Sequence, residues 1–176
     1  MFKIKLFVKV DEDYLLPQII DKGEWIDLCA AEDVEYNAPR LVYDEENKFN
    51  TVAFDEGMIS LGVAMQIPEG FEADVLPRSS TDNKYGVMLR NSQGVIDSSY
   101  CGNNDIWRFL YRAMRKGYIH KGDRIAQFRI QLSQKASFWT KLKWLFSDGV
   151  EIVRVDNLYG KDRGGIGSTG TTTFKK

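Results

Sequence analysis

Three short segments place charged, amide and hydroxyl side chains where they could act on an anion. Pro77-Arg78-Ser79-Ser80-Thr81 sets a guanidinium beside three hydroxyls. These are the donors of a phosphate or oxyanion seat, although an ordinary polar turn has the same composition. Gly94-Val95-Ile96-Asp97-Ser98-Ser99-Tyr100-Cys101-Gly102 puts a carboxylate three residues before an aromatic ring, between glycines. In a hairpin that carboxylate and ring can line one pocket; a tight turn with a half-buried Tyr reads the same way. Gly122-Asp123-Arg124-Ile125-Ala126-Gln127 opens a strand with the Gln127 amide pointing away from the apolar side chains, as an edge strand also would. From Gly160 to Lys176 the chain is rich in Gly, Ser and Thr, and composition alone favours a frayed terminus. Yet Gly165, Gly167 and Gly170 let the backbone approach phosphates, with Arg163, Ser168 and Thr169 as donors beside them.

Composition narrows the chemistry. The 176 residues suit one domain able to bury roughly 70% of its unfolded surface. Lys and Arg total 24 against 25 Asp and Glu, which argues against broad binding to nucleic acid or an anionic membrane. Cys29 and Cys101 lie too far apart in sequence for a metal cluster or a disulfide framework. His120 is the one histidine, so a His-rich metal site is excluded and any Ser-His or Cys-His mechanism hangs on one residue. Carboxylates, Arg and backbone amides are left to do the work. Walker A, G-x-S-x-G and H-E-x-x-H sequences are absent. No run approaches the roughly 18 apolar residues of a spanning helix, and Met1–Val10 alternates Lys with apolar residues, so the expectation is a soluble, cytoplasmic protein.

Period two dominates the elements that must position these segments. Phe2, Ile4, Leu6, Val8 and Val10 share one face of a strand. Ile59, Leu61, Val63, Met65 and Ile67 form a second run, and Ala126, Phe128, Ile130 and Leu132 a third. Val153 and Val155 close a short fourth. The pattern predicts an antiparallel sandwich or barrel. Residues Ile106–Met114 fit helix or strand. Phe138–Phe146 reads as a short amphipathic helix with Phe138, Leu142, Leu145 and Phe146 on one face, which either caps the core or meets a membrane or a partner. Pro39–Asp55 is polar and acid-rich, a surface hairpin or loop.

In this order the segments resemble the five motifs of the homotrimeric dUTP pyrophosphatases (dUTPases), of phage or bacterial type. The first is Trp25-Ile26-Asp27-Leu28-Cys29-Ala30-Ala31, and Pro77–Ser80, Gly94–Gly102 and Gly122–Gln127 are the second to fourth. Arg163-Gly164-Gly165-Ile166-Gly167-Ser168-Thr169-Gly170 is the fifth. The resemblance implies an all-β, jelly-roll-like barrel over residues 1–159, with insertions at about 39–55 and 138–146. A flexible glycine-rich arm, residues 160–176, would close over the substrate. It implies hydrolysis of dUTP to dUMP and pyrophosphate, with Asp97 activating the attacking water and Tyr100 excluding a 2′-hydroxyl. Backbone groups of Gly94, Val95 and Ile96, with Asn91 beside them, would read uracil. Arg78, Ser79, Ser80, Gln127, Arg163, Ser168 and Thr169 would hold the phosphates, Ile166 and Gly167 would cover the substrate, and Asp27 would order Arg and water behind them. One Mg²⁺ is implied, held by triphosphate oxygens and water with no direct protein ligand.

Three departures accompany the resemblance. Ile166 stands where the family has a uracil-stacking Phe, and Phe174 is the other candidate for that role. The loop after Tyr100 is a residue longer than the common pattern. The two insertions have no family role and are the natural surfaces for a regulatory protein partner, the activity of some phage members. The nearest alternative, a dCTP deaminase of the same fold, needs a catalytic Glu on the strand after the third motif. Asn103–Tyr111 has none.

Overall fold

The computed structural model describes residues 2–165. Its largest sheet has five strands, ordered β11 (Gly94–Asp97), β9 (Phe71–Pro77), β14 (Arg124–Leu132), β3 (Ile26–Cys29) and β2 (Gln18–Ile19). A second sheet runs β15 (Ser147–Arg154), β1 (Phe2–Val10), β8 (Val63–Gln66). A third runs β10 (Val87–Leu89), β12 (Arg108–Ala113), β7 (Glu56–Ser60). Two strand pairs complete the fold: β4 (Val34–Tyr36) with β13 (Gly117–Ile119), and β5 (Arg40–Asp44) with β6 (Phe49–Ala53). The fold is all-β and jelly-roll-like, with two short helices, α1 (Thr81–Tyr85) and α2 (Phe138–Leu145).

Alternation decides what faces inward. Ile4, Leu6, Val8 and Val10 are buried on β1, and Ala126, Phe128 and Ile130 on β14. They meet Leu28, Ile59, Leu61, Met65, Phe109 and Trp107, whose ring packs edge-on against Phe128 with centroids 5.2 Å apart. Gln127 and Arg129 occupy the opposite face of β14, as the alternation requires. Ile106–Met114 resolves as strand β12, and Pro39–Asp55 as the β5–β6 hairpin.

Four expectations need correction. The run from Ile59 to Ile67 is two strands, because Gly62 turns the chain at a φ of +62°. One ladder is parallel: β15 lies along β1, pairing Leu6 with Ile152. The strand around Val153 is eight residues long. Finally, α2 does not pack on the Phe138, Leu142, Leu145 and Phe146 face. Trp144 meets Phe71 at 5.4 Å, while Phe138, Trp139, Leu145 and Phe146 are exposed. The inward-facing residues of the helix are Thr140 and Trp144, at a spacing of four, with Thr140 set against Gly70.

Candidate active site

Strand β11 is a sheet edge: it is hydrogen-bonded to β9 alone. Gly94, Val95, Ile96 and Asp97 line a cleft of about 510 Å³, together with Asn91, Tyr100, Trp107, Arg108 and Arg163. An edge strand offers unpaired N–H and C=O groups, and a ligand with donors and acceptors along one side can pair with them. The Tyr100 N–H donates to the Asp97 carbonyl at 3.0 Å, closing the turn that puts carboxylate and ring together. The Tyr100 hydroxyl donates to the Ile106 carbonyl at 3.1 Å. Burial, with the Asp105 carboxylate as a lesser cause, pushes its pKa up, so it stays protonated and its ring stays fixed. The Asn91 amide donates to the Gln93 carbonyl at 3.2 Å, and Gln93 in turn donates to buried Asp74.

The start of the C-terminal arm lies in the same cleft. Arg163 Nη1 donates to Asp97 Oδ2 at 2.6 Å and to Ser99 Oγ at 3.1 Å. Residues behind this contact were missed in the sequence. Asp105 is 1% exposed and accepts from the backbone N–H groups of Gly102, Arg163 and Gly164. Asn103 exchanges two hydrogen bonds with the backbone of Leu158, and Asn104 donates twice to Asp162. These bonds hold the Asp162 carboxyl below the usual carboxylate range. The longer loop after Tyr100 was the one sequence signal of this arrangement.

The remaining candidates form a second cluster. Asp27 is buried on β3 between two guanidiniums, accepting from Arg78 Nε at 2.9 Å and from Arg124 Nη1 at 3.1 Å. Gln127 donates to the Pro77 carbonyl at 3.3 Å, and Ser79 and Ser80 are exposed just before α1. A shallower cleft of about 460 Å³, lined by Tyr14, Gln18, Cys29, Lys121, Gly122 and Arg124, adjoins this cluster. Within one chain the two groups do not meet. Asp97 is registered against Glu72 at one end of β9, and Arg78 follows Pro77 at the other. From residue 72 to residue 78 the extended chain covers about 20 Å at roughly 3.3 Å per residue, far more than a triphosphate spans. Ile166, Gly167, Ser168, Thr169 and Phe174 lie outside the described residues.

The dUTPase family model matches residues 42–141. A curated relative, the SPbeta prophage-derived deoxyuridine 5'-triphosphate nucleotidohydrolase of Bacillus subtilis, is 44% identical over 162 residues, 92% of this chain and 94% of its own. The chain belongs to the dUTPase family. Solved dUTPases share its fold. That of Streptococcus mutans superposes with a TM-score of 0.58 at 23% identity, covering 73% of this chain and 93% of that one. A dUTPase from phage phi11 of S. aureus, described as coordinating a structural Mg(II) ion, gives 0.56 at 18% identity, over 76% and 94%. In this dUTPase the third-motif segment builds the cleft, while the second- and fourth-motif segments build the arginine cluster. Among the described residues no helix is long and apolar enough to cross a membrane.

Proposed function

We propose that this protein hydrolyses dUTP to dUMP and pyrophosphate, a reaction that keeps uracil out of DNA and supplies dUMP for dTMP synthesis. The observation that carries the reading is the Asp97–Tyr100 turn on the edge strand of a 510 Å³ cleft. Uracil pairs with the free edge of β11 at Gly94–Ile96. The Tyr100 ring packs under the deoxyribose, where a 2′-hydroxyl would clash. Asp97, the one carboxylate among the described residues that line the cleft, takes a proton from a water placed in line with the α-phosphorus. Attack on a phosphoanhydride needs such a base and charge neutralisation, which a site without His provides. Arg163 occupies Asp97 until the phosphates arrive; their greater charge draws the guanidinium across and frees the base.

Mg²⁺ fits this donor set. Among the described residues no three His, Cys, Asp or Glu side chains converge, so a hard cation would rest on triphosphate oxygens and water near Asp97. When bound it would neutralise phosphate charge. The roughly 20 Å between Asp97 and the Arg78 cluster supports a homotrimer in which Arg78, Ser79, Ser80 and Gln127 reach the phosphates from a neighbouring copy. Residues 1–159 form the catalytic domain in this reading, 160–176 the arm that closes on substrate, and the cytoplasm is the compartment. The test is an equal mixture of dUTP and dCTP with Mg²⁺, read by chromatography. dUMP and pyrophosphate are expected; ammonia and new dUTP would turn the assignment to deamination.

A second role rests on the β5–β6 hairpin, which exposes Leu41, Tyr43, Phe49 and Val52. We infer that it is a contact surface for a regulatory protein, separable from catalysis. Deleting residues 39–55 should abolish capture of that partner with hydrolysis intact, and lost hydrolysis would place the hairpin in the enzyme instead.

A further inference from the structure

We propose that α2 is a membrane-surface helix whose outer side rests on an anionic lipid bilayer. Its inner side is already committed to the protein. Trp144 packs on Phe71 with ring centroids 5.4 Å apart, and Thr140 sits so close to Gly70 that a Cβ there would lie 2.9 Å from Thr140 Cγ2. The first turn is capped, with Ser137 Oγ accepting from the Thr140 N–H at 3.1 Å. Held at its first turn and at Trp144, the helix is formed before anything meets it, so binding carries little ordering cost.

What remains free is apolar. Phe138, Trp139, Leu145 and Phe146 are all exposed, and Phe146, the least exposed of the four, stands at 61%. At 3.6 residues per turn, Leu145, Phe138, Leu142, Phe146 and Trp139 follow one another around the side opposite Thr140 and Trp144. Lys141 and Lys143 border that arc, one on each side, and Lys135 stands just ahead of it. Lysine stems lie along apolar surface while their ammonium groups reach outward to charge. An aromatic and aliphatic arc bordered by lysines is the pattern of a helix lying at the boundary between headgroups and acyl chains.

The charges select the occupant. From Gln134 to Ser147 there are three lysines and no acid. Asp148 follows the segment and Glu69 adjoins Gly70 on the packed side, so neither interrupts the arc. The same helix of a second copy would set lysines against lysines. A groove that wraps a helix needs more of its circumference than Thr140 and Trp144 leave free, whereas a planar surface needs only the outer side. A bilayer carrying phosphatidylglycerol supplies anionic headgroups for Lys135, Lys141 and Lys143, and acyl chains for the rings between them. The balanced charge of the whole chain does not oppose this, because the headgroup potential acts within a Debye length, about 8 Å at physiological salt.

The test is flotation of the full chain with two kinds of vesicle, phosphatidylcholine alone and an equal mixture with phosphatidylglycerol. Flotation with the mixed vesicles is expected, well above that with the neutral ones and weaker at high salt. Lys141→Gln with Lys143→Gln should lower partition about 30-fold, roughly fivefold per lysine. Trp139→Ser with Phe146→Ser should abolish it. All four side chains are exposed, so the thermal midpoints of both variants should match wild type and show that they are folded. No flotation with the mixed vesicles would overturn the proposal, as would equal flotation of wild type and the Trp139→Ser, Phe146→Ser variant. So would equal binding to both kinds of vesicle. A smaller assembly in that variant, without lipid binding by wild type, would overturn it by assigning the face to a second copy.

Discussion

Replacing Asp27 by Asn keeps the size of the side chain and removes its charge. One oxygen is then left for two guanidiniums, and the new amide group faces the other. Removing one partner of a fully buried ion pair costs about 3–5 kcal/mol. Here the side chains left unpaired are 26% exposed for Arg78 and 41% for Arg124, so water recovers part of that loss. Discounted for this screening, the expected cost is about 2 kcal/mol, or a thermal midpoint lower by about 4–8 °C in a chain of this size. Function should fall independently of folding. Arg78 freed from Asp27 no longer meets the phosphates pre-ordered, and a charge-assisted contact of about 1.5 kcal/mol or more amounts to about tenfold in kcat/KM. Circular dichroism melting and steady-state dUTP hydrolysis measure the two effects. A midpoint within about 1 °C of wild type, well under the shift expected for this size of chain, with unchanged kcat/KM, would refute the reasoning that Asp27 carries both arginines.

Asp97→Asn should lower kcat by about 10²–10⁴-fold, the range for losing a general base, while calorimetric dUTP affinity stays near wild type. Full activity would remove Asp97 from the chemistry. Truncation after Leu158 should cost turnover more than binding, and unaltered turnover would leave the arm without a catalytic part. Burial pushes both thiols up in pKa, and Cys29 is also the more enclosed. Alkylation at pH 8 should therefore modify Cys101 first, and the reverse order would contradict the packing around β3. The Asp162 carboxyl has a lowered pKa in the fold. Its contribution is thus present above the unfolded value of about 3.9 and lost only as pH falls through the lower folded one. Protease release of the arm should be the same at pH 8 and pH 5; a marked rise by pH 5 would refute this.

Alternation made the strands legible, because a half-buried β-strand leaves a period of two and β1 and β14 obey it. The turn at Asp97 and Tyr100 was legible for a related reason: glycines at both ends left few other shapes. Helix α2 was harder. Phe138, Trp139, Leu142, Trp144, Leu145 and Phe146 place apolar groups on nearly every side, so periodicity could not choose the stripe that meets Phe71. Asp105 was invisible for a different cause. In sequence it is one acid in a polar loop, and its burial comes from a segment more than 50 residues away. Asp27 was legible only through the resemblance, which made it a residue ordering Arg; its burial on β3 and its pairing with Arg78 and Arg124 come from elements far apart in sequence.

The placement of Asp97 and Arg78 at opposite ends of β9 has a consequence for how such an enzyme is handled. In the proposed assembly each chain carries two half-sites that face different neighbours. Specific activity becomes a function of enzyme concentration, falling faster than linearly once dilution passes the dissociation constant of the assembly. Substrate occupying both halves at once would act as a cross-link and resist that loss, so preincubation with nucleotide should preserve activity in dilute solution that the bare protein loses.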